Sequence, residues 1–261
     1  MPGLFTQWLT ELRIYGIVRA VSESAQLRPR HRMIDRVAAI LEAAARSRQG
    51  LTLSELARAV DSPVSSAQDL VNGLVATGYL DETDRRYTLG PAPYVLNLIV
   101  DRPVVSVVPH ADLVRLHEQT GLTAVLAVAV GTDVYYIDHS SADTRFAYLA
   151  ENRVRRSLLR TSSGWVLLAH RDRRDLWSHL QGAPPEDQQR VDDFLDELPR
   201  ILETGVCATV KSSDAGDGVA IAVREEGRVV AAVTLVGTRE EIDPQRAHLA
   251  DVLRQASTHW H

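Results

Sequence analysis

The sequence predicts an α+β protein in two parts: an N-terminal winged helix-turn-helix, all helical apart from a β-wing, and a C-terminal α+β domain built on an antiparallel sheet. Three observations carry this. LTLSELARAV runs through a tight turn into SPVSSAQDLVNGLVATGYL and a short charged hairpin. Two apolar runs, TAVLAVAV and GVAIAVREEGRVVAAVTLVG, each turn back on themselves at a glycine. Segments of helical period flank both. A chain of 261 residues suits two domains of ordinary size. The expected boundaries are an N-terminal extension over 1–30, the winged helix-turn-helix over 31–90, a connection over 91–109 and the second domain over 110–261.

Residues 4–21 have apolar positions near helical spacing and are expected to form a short amphipathic helix, followed by the basic stretch LRPRHR. MIDRVAAILEAAA places Ile34, Val37, Ile40 and Leu41 on one stripe of a strong helix. Thr52 and Glu55 in TLSE form a capping box, and the short helix they open turns at Asp61. Ser62 is expected to cap the next helix with Pro63 at its first position, and Gly78 to end it. YLDETDRRYTLG alternates around a charged turn as a small wing would. Prolines 91, 93, 103 and 109 mark the connection. Beyond it, ADLVRLHEQTG reads as a helix ending at Gly121, and TAVLAVAV and VYYID as a buried hairpin. Residues 158–170 read as a short strand and a helix beginning near Ser162. Residues 187–203 are expected to be helical, the second hairpin to turn at Glu225-Glu226-Gly227, and residues 244–256 to form a last helix.

The net charge of −5 and pI near 6.0 weigh against a polyanionic partner, although a basic patch can sit on an acidic chain. Arginine supplies nearly all the positive charge, Lys211 being the one lysine. A single cysteine, Cys207, leaves no internal disulfide or cysteine zinc cage, and is read as a small core residue. Trp165 and Trp177 are read as core. The terminal HWH is read as a disordered end rather than a metal site. No apolar run approaches bilayer length and the start lacks a signal-peptide pattern, so no membrane partner and a cytoplasmic location are expected. No Walker loop, G-x-G-x-x-G, H-E-x-x-H or G-x-S-x-G elbow is present, and Asp138-His139 has no nameable partner. No enzyme, cofactor or metal is therefore expected.

The order of these pieces resembles the IclR family of bacterial transcription regulators. DRVAAILEAAA is similar to that family's first helix, and LTLSELARAV with SPVSSAQDLVNGLVATGYL to its helix-turn-helix. DRRYTLG is similar to its wing, SLLRTSSGWVLLA to its Thr-x-x-Gly…Leu-Leu-Ala element, and GVAIAVREEGRVVAAVTLVG to its closing hairpin. The resemblance implies a homo-oligomer, dimer or tetramer, whose first domain binds double-stranded operator DNA. It also implies a sensor-like second domain that takes a small-molecule effector. The chain departs from the family where His-Arg often stands in mid-helix; here the pair is Gln68-Asp69.

For DNA, the candidate readers are Ser65, Ser66, Gln68 and Asn72. Gln and Asn can pair with adenine, and Asp69 can accept from cytosine N4. Since no Lys or Arg lies between Ser62 and Asp81, phosphate charge must come from the flanks: Arg58, and Arg85 and Arg86 at the wing tip. An alternative is a relative that kept the fold, lost DNA and serves as a sensing or interaction module. For the effector, TSSG at 161–164 either merely caps a helix or offers its amides to a carboxylate. Carried over by position, the candidates are Ser162, Ser163, Gly164, Ala220 and Thr234, with Asp214 in a nearby loop.

Overall fold

The computed structural model describes residues 31–208 and 216–260. The expected helix over 4–21, the basic residues Arg28 and Arg30, and the candidate Asp214 lie outside them. The described chain forms two compact units, divided between Val104 and Val105.

The first unit begins with α1 (Arg32–Arg46), whose apolar stripe buries Ile40 and Ala44. α2 (Leu53–Ala59) starts on the expected capping box: Thr52 accepts from the Glu55 amide, and the Glu55 carboxylate accepts from the Thr52 N–H at 2.7 Å. Those bonds to Thr52 hold the Glu55 carboxyl below its ordinary range. The chain then turns through Asp61 in the left-handed region. α3 (Val64–Ala76) buries Ala67, Val71 and Leu74. Here the cap differs from expectation. Pro63, not Ser62, is the N-cap: its ψ of 143 is extended and its carbonyl accepts the first helical bond, from Ala67. Ser62 instead donates its N–H to the Ala57 carbonyl and closes the interhelix turn. α3 ends in a Schellman motif, Tyr79 N–H to Leu74 O and Gly78 N–H to Val75 O. The wing is β1 (Leu80–Thr83) paired with β2 (Arg86–Leu89). Both of its turn residues, Asp84 and Arg85, have positive φ, as a two-residue hairpin of this hand requires. Ile40, Leu56, Val71, Leu80 and Tyr87 close one core. Within the stretch expected as connection, Ala92–Val100 forms α4, with no buried residue.

The second unit is a six-stranded antiparallel sheet in the order β5-β4-β3-β8-β7-β6. Its strands are β3 (Thr123–Val130), β4 (Asp133–Ser140), β5 (Arg156–Ser157), β6 (Val206–Cys207), β7 (Asp217–Glu225) and β8 (Arg228–Gly237). The central strands are apolar at successive positions because both faces are covered. One face packs Val125, Ala127, Ala220 and Ala232 under α6 (Thr144–Glu151), α7 (Ser162–Ala169), α8 (Arg173–Gln181) and α9 (Gln188–Thr204). The other packs Leu126, Val219, Val233 and Leu235 against α5 (His110–Thr120), α10 (Arg239–Ile242) and α11 (Arg246–Ser257). Cys207 and Trp165 are core, as expected, and Trp177 packs at its margin. The chain end corrects an expectation. Trp260 is buried, and its indole N–H donates to Asp112 Oδ2 at 2.7 Å, so a polar anchor and an apolar seat hold this residue against α5.

Candidate functional site

Two places bring chemistry together. The first is the outer face of α3. Ser65, Ser66, Asp69 and Asn72 are exposed, Gln68 is half-buried, and Val64 is exposed at the helix start. Gln68 does not stand free: its Nε2 donates to Asn72 Oδ1 at 2.8 Å. Arg58 is exposed at the end of α2, and Arg85 is exposed at the wing turn, where it forms no ion pair among the described residues. Arg86 is placed differently. Its guanidinium reaches back to donate to the Gly50 carbonyl at 3.0 Å and lies 4.0 Å from Glu55. The sequence cannot distinguish the two arginines. The hairpin register does, because Arg86 is the first paired residue of β2 and Arg85 is in the turn.

The second place is a cleft at the N-terminus of α7, bounded by α6 and the ends of β7 and β8, with about 490 Å³ of open space including solvent. Thr161 caps α7, its hydroxyl accepting from the Gly164 N–H at 3.0 Å. The N–H groups of Ser162 and Ser163 have no intrahelical partner at this end and none among the described residues. Thr234, on β8, lines the cleft at 2% exposure, and its hydroxyl has no hydrogen-bond partner. An unpartnered buried hydroxyl costs about 1–3 kcal/mol, so its place in the wall of a cleft is informative. Arg145 and Arg156 line the same cleft. Arg145 is engaged by Asp143, with Nε to Oδ2 at 2.8 Å. The Asp217 carboxylate, buried in the wall, is neutralised by Arg246 and accepts from the Gly218 N–H. A Cβ at Gly218 would stand 3.2 Å from Ser162 Oγ and 2.9 Å from the Leu235 carbonyl, so glycine there lets α7 and the sheet approach closely.

Of the sequence candidates, Ser162 and Thr234 line the cleft. Ser163 lies beneath it: its hydroxyl sits beside the Tyr136 phenol without meeting hydrogen-bond geometry. Burial pushes that phenol up, and the serine only partly opposes the shift. Gly164 faces the backbone rather than the cleft, since a Cβ there would fall 2.2 Å from the Leu158 carbonyl. Ala220, opposite Thr234 in the β7–β8 register, is fully buried core. The residues missed are Tyr136, Arg145, Phe146, Tyr148, Arg156 and Asp217. Asp143 before TRFAYLAE is a helix-cap signal that could have revealed the α6 members.

A winged helix-turn-helix and an α+β domain with a cleft at a helix N-terminus define a ligand-responsive DNA-binding regulator. Residues 33–84 match the IclR helix-turn-helix domain, and residues 99–260 match the domain described as bacterial transcriptional regulator IclR C-terminal. The chain belongs to the IclR family of bacterial transcriptional regulators. No curated protein matches it by sequence. Among solved structures it is similar to an IclR homolog of Microbacterium hydrocarbonoxydans complexed with 4-hydroxybenzoate, at 24% identity, with 87% of this chain and 96% of that one covered and a TM-score of 0.63. A transcriptional regulator of Silicibacter sp. aligns at 20% identity over 87% and 93% of the two chains, with a TM-score of 0.67. One of Rhodococcus sp. aligns at 21% over 88% and 96%, with a TM-score of 0.58. At these identities the likeness is one of fold. No helix among the described residues is long and apolar enough to cross a membrane.

Proposed function

We propose that this regulator reads operator DNA with the exposed face of α3, takes its phosphate contacts from Arg58 and Arg85, and binds a small carboxylate in the cleft at α7. The observation that carries the ligand reading is the unpartnered Thr234 hydroxyl, buried in the wall of the cleft that Thr161 and Ser162 line at the start of α7. Helix-end amides favour an anionic oxygen, and the hydroxyl supplies a further donor. Tyr136, Phe146 and Tyr148 give the cleft aromatic walls, which suits an aromatic acid; 4-hydroxybenzoate, held by the Microbacterium relative, is the natural first probe. The protein acts as a homo-oligomer with a dimer as the DNA-binding unit. Support comes from α4, where Tyr94, Leu96, Leu98 and Ile99 are 49–72% exposed, a density of apolar surface that calls for a partner. It works beside the chromosome, in the cytoplasm, and performs no catalytic step.

Thermal melts of the full chain with benzoate, 4-hydroxybenzoate and short aliphatic acids test the ligand reading. A carboxylate should raise the melting temperature of the wild type and raise that of Thr234→Val much less. Equal shifts in both proteins would place the ligand elsewhere.

A further inference from the structure

Gly73 is the described glycine that the fold does not explain. Every other described glycine has either a left-handed φ or an atom within 4 Å of the place its Cβ would take. Gly73 has neither. It stands inside α3, which runs on to Ala76. There glycine weakens a helix relative to alanine, because it leaves the unfolded chain more freedom to lose. Gly73 is exposed, as are Ser66 and Asp69 before it and Ala76 and Thr77 after it. Helical spacing puts these five on one side of α3. A methyl group at 73 would touch nothing in this chain and would strengthen the helix.

We propose that Gly73 is a positioning residue for DNA: its missing side chain lets α3 sink deeply into the major groove, with Gly73 against the groove wall. The inference rests on the reading of α3 as the DNA-contacting helix. A helix with its side chains is about 10–12 Å across and the groove is about 12 Å wide, so little room is left at the flanks. Depth matters here because the readers are short. No Lys or Arg lies between Ser62 and Asp81, and the exposed candidates are Ser65, Ser66 and Asn72. A long arginine can bridge a gap to a base edge; a serine reaches one only when the helix backbone itself comes close. A Cβ at 73 would hold the helix off the wall and lengthen all of these contacts at once. The side that Gly73 shares with Ser66, Asp69, Ala76 and Thr77 carries no cation, so it meets the wall by shape and not by charge.

The test compares the full chain with Gly73→Ala and Gly73→Val on two duplexes, one that the wild type selects from a randomised pool and one unrelated, over a range of salt. Gly73→Ala should raise the melting temperature by about 1–4 °C. It should nevertheless weaken binding to the selected duplex about 5-fold, and Gly73→Val up to about 150-fold, the span of one base contact. Greater stability with weaker binding cannot come from damage to the fold. The slope of log K against log salt should stay that of the wild type, since no phosphate contact is removed. Binding to the unrelated duplex, which rests on phosphates, should change by less than about twofold. A Gly73→Ala protein that is less stable than the wild type, or that binds the selected duplex as tightly, overturns the inference while leaving DNA binding intact. So does a loss of binding that follows a change in subunit association on sedimentation, which would assign the bare surface to a second copy of the chain. A folded wild type that retains no duplex at low salt overturns the reading of α3 itself, and the inference with it.

Discussion

The two wing arginines should behave differently, although the sequence places them side by side. Arg85 is exposed in the turn between β1 and β2, whereas the Arg86 guanidinium is held by the Gly50 carbonyl at 3.0 Å with Glu55 4.0 Å away. Counting Arg58 and Arg85 on each subunit of a dimer gives about four phosphate contacts and a slope of log K against log salt of about −3.6. Between 50 and 200 mM salt, such a slope lowers affinity by about 150-fold. Arg85→Ala removes one contact per subunit, so the slope should flatten to about −1.8 and the same salt change should cost about 12-fold. Arg86→Ala should leave the slope near that of the wild type. Its cost should appear in stability instead, at about 0.5–1.5 kcal/mol for one hydrogen bond. Fluorescence-anisotropy titrations at four salt concentrations, with melts of each variant, measure both quantities. A slope flattened as strongly by Arg86→Ala as by Arg85→Ala would refute the division of labour.

Further outcomes follow from the second unit. Thr234→Val removes an unpartnered hydroxyl, so it should stabilise the unliganded protein by about 1 kcal/mol while weakening carboxylate binding about 2- to 12-fold, measured by melting and calorimetry. Phe194 is fully buried and meets Trp165 edge-on at 5.5 Å; Phe194→Ala should cost about 3–5 kcal/mol in denaturant unfolding. His179 is pushed down to about 4, first by burial and then by Arg171. Its folded pKa lies below the unfolded value near 6.5. Its contribution is therefore complete above pH 6.5 and is lost as pH falls towards 4. His179→Gln should flatten the decline in melting temperature over that window, and an unchanged profile would assign the acid sensitivity elsewhere.

Much of the fold was legible because its signals are local. The Thr52–Glu55 box, the glycine ending α3, the wing and the two β-hairpins each announce themselves within a few residues. α4, α6 and α8 were not anticipated. α4 in particular has no buried stripe against its own unit, so its apolar residues read as connection rather than as a helix face. The candidate cleft was legible only in part. Thr161 and Ser162 stand in the small-residue motif, but Tyr136, Arg145, Arg156 and Asp217 come from separate elements that converge only once the sheet is assembled. The direction of a side chain was equally hidden: nothing in DRRYTLG tells that Arg86 turns back to Gly50, and nothing in SSAQDLVN tells that Gln68 donates to Asn72.

The most direct measurement is binding of the full chain to its own upstream duplex at 50 and 200 mM salt, with and without 4-hydroxybenzoate or another carboxylate found by melting. Affinity that falls steeply with salt and shifts about 5- to 150-fold on adding the carboxylate, the usual range of coupling between two sites, is the expected result. A folded protein whose affinity for that duplex is no greater than for an unrelated one, and is untouched by a ligand that demonstrably binds, would contradict it.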